Sequence, residues 1–421
     1  MRNIVLFFTK TSKIWYLLLS LFCSFPLIAG IDLGLDRIFA EPYSFELKGK
    51  NIGLVTNQSA INAKQENAFD LFFANQDKFG YKLYAAFAPE HGLDAKLHAF
   101  EKVDDSQKNK VKIFSLHGDT KRPTDAMLSN IDLIVYDMQT VGVRCYTYET
   151  TLCYVMEKAA ELKIPIIVLD RPNPRGGLVV EGGTLEEKYK CFFSYNEVPF
   201  CHGMTIGELA RYFNVEQKIA CDLKVVPMIG WKRSMSFQDT QLPWAAPSPN
   251  IPDAETALVY PATILLGETL EMVSVDLRGE KPFKRIGAPW IEGHEFASVL
   301  NQRNLPGVLF SSEIFTPKWG KYESVTCGGV LIKVTSIERF QPLLTQYAIF
   351  EELMRTYPRH FEIELTAAME KGRQKTCNYI TGNENLMNYL ERSKSFVNEM
   401  KTYEDHCIKG FLSKREKYLI Y

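Results

Sequence analysis

Short apolar runs that alternate with helical patterns constrain the fold of this chain more than any other feature. Three of these runs are Asn51 to Asn57 (NIGLVTN), Tyr81 to Glu90 (YKLYAAFAPE) and Ile131 to Gln139 (IDLIVYDMQ). Patterns with helical periodicity lie between and after them, at Ala68 to Gly80 and at Thr151 to Lys163. Continuous apolar strands separated by helices are typical of a mostly parallel sheet covered on both faces. The sequence therefore predicts an α/β fold.

The second half of the chain has a different composition. Pro243 to Thr263 is rich in proline, which predicts a connection across the surface. Two strands and a long helix are predicted beyond it, at Gly307 to Phe315, Gly328 to Ser336 and Gln341 to Pro358. We therefore predict a mostly parallel sheet domain at residues 45–255, followed by a smaller α+β domain at residues 256–421.

The first 29 residues predict a signal peptide. Arg2, Lys10 and Lys13 precede an apolar run from Ile14 to Gly30, which includes the small residue Ala29 near its end. The run is shorter than the ~20 residues that span a bilayer, although an uncleaved anchor is the alternative. The protein is expected to be exported to the periplasm, with membrane contact only if this segment stays attached.

Composition excludes several classes of function. The formal net charge is -1, and no basic stripe is present, so nucleic-acid binding is not expected. The nucleotide-binding patterns GxxxxGK[ST] and GxGxxG are absent at the relevant places, as are GxSxG and HExxH. No CxxC pair occurs, although an even number of cysteines after residue 29 permits disulfides. Neither a cofactor nor a metal ion is predicted.

Polar side chains follow the three apolar runs named above and a fourth predicted strand, Ile164 to Pro174 (IPIIVLDRPNP). They are Asn57 and Gln58, Glu90 and His91, Asp137 and Gln139, and Asp170, Arg171 and Asn173. Ligands of open α/β sheets bind outside the carboxyl ends of the strands. These residues therefore predict one functional site at a single edge of the sheet.

Carboxylate chemistry with hydrogen-bonding partners suits the cleavage of glycosidic bonds. Glu90 is the best candidate for the acid, since apolar residues precede it in AAFAPEHG, although such a stretch is also typical of a plain turn. Asp137 and Asp170 are alternative acids. Thr205 and Glu208 have the spacing of a capping box, which assigns Glu208 to structure. His202, just before that cap, either faces the site or packs in the turn.

Seven stretches together resemble the exo-β-N-acetylmuramidase family NamZ, glycoside hydrolase family 171, over nearly all of the chain after residue 29. The stretches are GLVTNQSAI, AFAPEHG, DMQTVGVRCYTY, VLDRPNPRGG, HGMTIGELA, PSPNIP and RIGAPW. The resemblance implies a Rossmann-like N-terminal domain, a cleft against a smaller C-terminal domain, and removal of terminal N-acetylmuramic acid from the non-reducing end of peptidoglycan chains. It implies that Glu90 is the catalytic glutamate.

Further residues of these stretches, Arg144, Tyr146 and Asn250, join the strand-end residues and His202 as candidates for binding the amino sugar. Its lactyl carboxylate is expected to pair with Arg144 or Arg171. The chain departs from the family at Thr140, where aspartate is usual, and at residues 265–283, which lack most of a Ser-Glu-Gly-Arg-Gly-Thr run. A sugar-binding protein without turnover is therefore the alternative function.

Overall fold

The computed structural model describes residues 30–99, 101–393 and 395–421. The predicted signal peptide at residues 1–29 lies outside the described residues. Within the described ranges, no helix is both long and apolar enough to cross a membrane.

A central sheet forms the middle of the first half of the chain. Its seven strands in the described residues are β1 (Asn51–Thr56), β2 (Lys82–Ala88), β3 (Ser106–Lys108), β4 (Val111–Ser115), β5 (Leu133–Asp137), β6 (Ile166–Leu169) and β7 (Leu223–Val226). Their order across the sheet is β3-β4-β2-β1-β5-β6-β7, and every pairing is parallel except that of β3 with β4. The α/β prediction is confirmed.

Burial explains why these runs form strands. Every residue of β5 and β6 is buried, as are the last five residues of β1, because both faces of the sheet are covered. A strand without a solvent face needs apolar side chains at consecutive positions rather than at alternate ones. The continuous apolar runs in the sequence are explained by burial of the strands on both faces of the sheet.

The strand order reverses at β1. From β1 the chain passes to β2 and then β4 on one side, whereas β5, β6 and β7 follow on the other. Such a reversal separates two connections that leave the sheet in opposite directions, which opens a crevice at the carboxyl ends of the strands. The segments after β1, β2 and β5 all lie at this point.

The described residues contain thirteen α-helices. They are α1 (Gly34–Arg37), α2 (Ala68–Ala74), α3 (Gln76–Phe79), α4 (Asp125–Leu128), α5 (Thr147–Leu162), α6 (Ile206–Glu216), α7 (Ala254–Thr263), α8 (Gly293–Gln302), α9 (Pro342–Thr356), α10 (Pro358–Glu370), α11 (Arg373–Thr381), α12 (Asn385–Arg392) and α13 (Phe396–Arg415). The predicted capping box of Thr205 and Glu208 is present at the start of α6.

The second half combines helices with a small antiparallel sheet. Its strands are β8 (Arg285–Ala288), β9 (Val308–Phe315) and β10 (Cys327–Val334), and β10 is central. One hydrophobic cluster joins the two halves, since Ile134 of the central sheet and Phe350 of α9 belong to it. The second half of the chain is therefore a smaller region of mixed helices and strands, as the α+β prediction stated.

The proline-rich stretch was predicted as a connection, and this is wrong for its final part. Residues from Ala254 onward form α7, although Pro261 stands inside the helix and has no N–H to donate. A turn of π-helix, Leu265–Thr269, follows directly. In it the amide of Thr269 donates to the carbonyl of Ile264, five residues earlier. π-helical turns occur frequently at functional sites.

Two buried carboxylates lie where α9 packs against α13. Glu404 of α13 accepts a hydrogen bond from the Tyr347 hydroxyl at 2.5 Å. Burial and the charge of the nearby Glu181 together raise the pKa of the Glu404 carboxyl to about 8. Glu181 accepts from the backbone N–H groups of Leu343 and Leu344 at the start of α9.

We expect Glu404→Gln to become more stable relative to the parent as the pH rises from 5 to 8. An unfolded glutamate ionises near pH ~4.3, whereas folded Glu404 keeps its proton up to about 8. The folded parent therefore binds the extra proton in this window, and its free energy of unfolding falls as the pH rises. The free energy of unfolding of Glu404→Gln has no such fall, because glutamine does not titrate. Urea unfolding at several pH values should show a relative gain on the order of 1–3 kcal/mol.

The matched control is Glu370→Gln, on the exposed end of α10. Its stability should follow that of the parent across the same pH range. A difference between Glu404→Gln and the parent that does not change with pH would contradict the prediction.

Candidate active site

The PEHG stretch after β2 is a tight turn. The amide of Gly92 donates to the carbonyl of Pro89 at 3.0 Å, so Glu90 and His91 are its two central residues. His91 has φ of 72°, in the left-handed region that non-glycine residues seldom adopt. Strained backbone of this kind clusters at functional sites. The turn thus holds Glu90 at the end of the strand, directly over the crevice.

One hydrogen bond and a nearby imidazole ring position the Glu90 carboxylate. The Thr147 hydroxyl donates to Oε2 at 2.6 Å, and Nε2 of His117 lies 3.6 Å from Oε1. Thr147 is the first residue of α5, whose N-terminal end carries a partial positive charge. Glu90 is only 4% exposed, yet it contributes to a cavity wall. These contacts fix the carboxylate in one orientation toward the cavity.

Both histidines beside Glu90 are buried. Burial lowers the pKa of His117 and of His91, while the charge of Glu90 opposes this shift in each case. Nδ1 of His91 lies 2.7 Å from the carbonyl oxygen of Leu97, which requires the proton on Nδ1. Burial therefore favours the neutral form of both rings.

A tyrosine lies beneath this turn. The Tyr148 hydroxyl accepts from Nδ2 of Asn57 at 2.7 Å and approaches the backbone carbonyl of Glu90 at 3.4 Å. Asn57 also accepts from the Ser59 hydroxyl at 2.6 Å. The residues after β1 therefore support the Glu90 turn from below.

Both halves of the chain line the cavity in front of Glu90. Its volume is about 120 Å³, which is smaller than that of most small-ligand pockets. The first half contributes Glu90, His91, Ala99, Cys145, Tyr146, Thr147, Phe193, Ser248, Pro249, Asn250 and Ile251. The second half contributes Tyr260, Ile264, Glu268, Thr269, Phe283, Arg373, Thr376 and Ile380. We call this cavity the inner chamber.

A second cavity continues from the inner chamber, and we call it the outer chamber. Its volume is about 330 Å³, which is within the usual range for small-ligand pockets. The two chambers share four lining residues, Ala99, Asn250, Glu268 and Arg373. Trp319, which is 42% exposed, lies at the outer chamber with the Arg278 guanidinium 4.6 Å from its ring centre. The shared residues join the two chambers into one cleft.

Three polar atoms of the chamber walls have no hydrogen bond of good geometry, although the Tyr146 hydroxyl lies near those of Ser248 and Tyr148. The Tyr146 hydroxyl, the Thr269 hydroxyl and Nδ1 of His98 are buried and form no hydrogen bond of standard geometry with the described residues. Buried polar groups are nearly always hydrogen-bonded, so such atoms in a cavity wall indicate a polar ligand. A sugar, which carries many hydroxyl groups, fits this requirement.

Four of the residues predicted from sequence lie in the inner chamber, namely Glu90, His91, Tyr146 and Asn250. The other eight lie outside the lining of both chambers. They are Asn57, Gln58, Asp137, Gln139, Arg144, Arg171, Asn173 and His202.

Asp137 and Arg171 bind each other at the end of β5. Nη2 of Arg171 donates to Oδ2 of Asp137 at 2.9 Å, and Nη1 donates to the carbonyl of Ile61. Gln139 donates to the carbonyls of Thr140 and Pro172. These side chains join the segments after β1, β5 and β6.

The Arg144 guanidinium is fully buried and is bound by the protein. It donates to Oγ of Ser194 at 2.8 Å and to backbone carbonyls of Gly183 and Val198, at 2.9 and 2.6 Å. It also donates to the carbonyl of Thr381 at 2.5 Å. Arg144 therefore connects the first half of the chain to the end of α11.

The other predicted residues also have protein partners. His202 is paired with Glu149 at 2.9 Å, and Gln58 donates to the carbonyl of Ala246. Asn173 donates to the carbonyl of Met204. A Cβ on Gly142 would lie 2.3 Å from Oδ1 of Asn173, so the close approach of these two segments requires glycine.

Asp170, an alternative acid at the sequence level, is likewise enclosed by the fold. It accepts hydrogen bonds from the Thr205 and Tyr421 hydroxyls and from the amide of Gly207. Burial raises the pKa of its carboxyl to about 7. Since it lines neither chamber, its contacts position α6 and the last residue described.

Residues that the sequence analysis did not single out also line the site. Glu268, Thr269 and Arg373 come from the second half, and Thr147 comes from the start of α5. The only available sequence signal for Glu268 was its place in the divergent segment 265–283. That segment lines both chambers, whereas Thr140 lines neither. The departure at residues 265–283 thus bears directly on the site.

Two further observations concern ligands and redox state. Among the described residues, no group of three or more His, Cys, Asp or Glu side chains is placed to hold a metal ion. The cysteines in the same part of the chain are free thiols, and burial raises the pKa of Cys145, in the inner chamber, to about 12. A thiol of this kind is a poor nucleophile at neutral pH.

Comparison with known proteins agrees with this geometry. Residues 52–255 match the family model "Exo-beta-N-acetylmuramidase NamZ, N-terminal", and residues 258–421 match its C-terminal counterpart. The peptidoglycan beta-N-acetylmuramidase NamZ of Bacillus subtilis (strain 168) is 40% identical over 393 residues, which cover 93% of this chain and 91% of that protein.

Two crystal structures of DUF1343 family proteins from Bacteroides fragilis are similar in fold. One has a TM-score of 0.84 and 31% identity, and the other has a TM-score of 0.69 and 25% identity. Each comparison covers 93% of this chain and 99% of the other. The chain belongs to the NamZ family of exo-β-N-acetylmuramidases.

Proposed function

We propose that this protein is an exported glycosidase that removes terminal β-linked N-acetylmuramic acid from the non-reducing end of peptidoglycan fragments. One observation carries the proposal. Glu90, held by a strained turn and by Thr147, reaches the inner chamber, whose walls also offer unpartnered polar atoms. Membership of a glycosidase family supports the same reaction.

Glu90 carries acid–base chemistry in this proposal, because cleavage of a glycosidic bond needs a carboxyl group that transfers a proton. Tyr146, Thr269 and Asn250 would bind the hydroxyl and acetamido groups of the sugar. The inner chamber is the place for the terminal sugar, and the outer chamber is the place for the remainder of the glycan. Export is supported by the basic and apolar residues of the first 29 positions.

The test is incubation of the purified protein with a disaccharide that ends in N-acetylmuramic acid. We expect release of free N-acetylmuramic acid, and no release from a matching disaccharide that ends in N-acetylglucosamine. Tight binding of the first disaccharide without any product, measured by calorimetry and chromatography, would favour the sugar-binding alternative. Absence of both binding and product would contradict the proposal.

The lactyl carboxylate is what separates N-acetylmuramic acid from N-acetylglucosamine, so its recognition requires a cation or several donors. Arg144 and Arg171, the candidates from sequence, donate to groups of the protein itself. Arg373 lines both chambers and forms an ion pair with Glu271 at the chamber wall. We therefore assign the lactyl group to Arg373.

Arg373→Gln should raise the KM for substrates that end in N-acetylmuramic acid by roughly 10- to 100-fold. The loss of one charge-assisted hydrogen bond, worth ~1.5–3 kcal/mol, accounts for this range. Steady-state kinetics would measure it, with Arg359→Gln on the exposed surface of α10 as the matched control. An unchanged KM would show that the lactyl group lies elsewhere.

A further inference from the structure

Resting on the proposed function, we propose that Glu268 is the proton donor of the reaction and that Glu90 is its anionic partner. Both carboxylates line the inner chamber, one from the turn after β2 and the other from the second half of the chain. Glycosidases of the usual type place two carboxyl groups on the two sides of the bond that breaks. The surroundings of the two groups decide which of them holds the proton.

A hydrogen-bond donor and the N-terminal end of a helix lie against the Glu90 carboxylate. Thr147 donates a hydrogen bond to one oxygen at 2.6 Å, and the start of α5 lies beside it. Hydrogen bonds to a carboxylate and the positive end of a helix both stabilise the negative charge. These contacts hold the Glu90 carboxylate in place as the partner that receives the proton of water.

Glu268 is in the opposite situation. Its carboxyl group forms no hydrogen bond or ion pair with a residue in the described ranges, although it lies close enough to Glu90 for repulsion between their charges. Burial and the charge of Glu90 together raise the pKa of Glu268 to about 7, although Arg373 opposes the shift. Two nearby carboxyl groups whose surroundings differ in this direction separate into an acid and a base.

The local backbone presents Glu268 to the cavity. It belongs to the π-helical turn Leu265–Thr269, where the amide of Thr269 donates to the carbonyl of Ile264. A Cβ on Gly267 would lie 2.2 Å from a methyl group of Val275, so the absence of a side chain there lets the turn pack closely. The extra residue of the π-turn places Glu268 toward both chambers rather than into the core.

The proton transfers balance over one turnover. The proton of Glu268 passes to the glycosidic oxygen as the bond from that oxygen to C1 of N-acetylmuramic acid breaks. The oxygen of one water molecule bonds to C1, and the water proton that is released passes to the Glu90 carboxylate. Exchange with solvent then returns a proton to Glu268 and removes one from Glu90. One water is consumed, and two alcohols are formed.

A leaving-group comparison tests the assignment. Glu268→Gln should hydrolyse the disaccharide ~10²–10⁴-fold more slowly than the parent. It should retain most of its rate on 4-nitrophenyl β-N-acetylmuramide, because a nitrophenolate leaves without being protonated. Glu90→Gln should lose rate on both substrates. Glu255→Gln, an exposed carboxylate of α7 paired with Lys284, is the matched control and should behave as the parent does on both.

The pH profile gives an independent readout. In the parent, kcat/KM for the disaccharide should fall above pH 7, where Glu268 loses its proton, and this fall should be absent from Glu268→Gln. An equal loss on both substrates, or no loss on the disaccharide, would overturn the proposal. If the parent itself hydrolyses neither substrate, it is the proposed function that fails.

Discussion

Glu90→Gln is expected to leave a folded protein that binds sugar but hydrolyses it ~10²–10⁴-fold more slowly than the parent. The amide keeps the size of the carboxyl group, and its oxygen still accepts the hydrogen bond from Thr147. It cannot exchange a proton at any accessible pH. The rate with the disaccharide substrate, the Kd from calorimetry and the thermal midpoint would together measure the change.

The control for this substitution is Glu66→Gln. Glu66 is exposed, lies after β1 and accepts a hydrogen bond from Asn62, outside both chambers. Its rate should equal that of the parent. If Glu90→Gln unfolds the protein or hydrolyses substrate at the parental rate, the PEHG stretch is a structural turn and Glu90 has no part in catalysis.

Arg144→Met should lower the free energy of unfolding by at least about 3 kcal/mol, because it leaves several buried oxygen atoms without a donor. The guanidinium is 0% exposed and donates to carbonyls from three separate segments. Burial lowers the pKa of Arg144 to about 10, so it remains charged at pH 7. Methionine fills much of the volume but supplies no donor.

Urea unfolding followed by tryptophan fluorescence would measure this effect. Arg359→Met on the exposed surface of α10 should change the stability by less than about 0.5 kcal/mol. The free energy of unfolding of Arg144→Lys should fall between those of the parent and Arg144→Met, since one ammonium group cannot replace all the N–H donors of a planar guanidinium. Equal stability of Arg144→Met and the parent would show that water or rearrangement satisfies the carbonyls.

The strands and the position of Glu90 are predictable from sequence, because burial on both faces of the sheet leaves continuous apolar runs. The polar residues at the strand ends are harder to interpret. Arg171 and Asp137 look the same in sequence whether they bind a ligand or bind each other, as they do here. The same applies to Arg144, whose partners come from segments far apart in sequence.

The contribution of the second half to the site could not be predicted. Because of Pro261, the segment that forms α7 was predicted as a connection. Neither α7 nor the π-helical turn that carries Glu268 was therefore predicted as a helix. Arg373 begins a polar helix without any motif. Glu268 and Arg373 line the chambers because the second half of the chain packs against the first. No local sequence pattern predicts that packing.

The joint lining of the inner chamber has a consequence for how the activity responds to perturbation. Glu90 is carried by the sheet and Glu268 by the other half, so no single element sets the separation of their carboxyl groups. That separation is a property of the contact between the halves, including Arg144 and its carbonyl partners at the end of α11. Mild heating or low urea should therefore diminish turnover before any secondary structure melts, and substitutions far from the chambers can adjust the rate without touching a sugar.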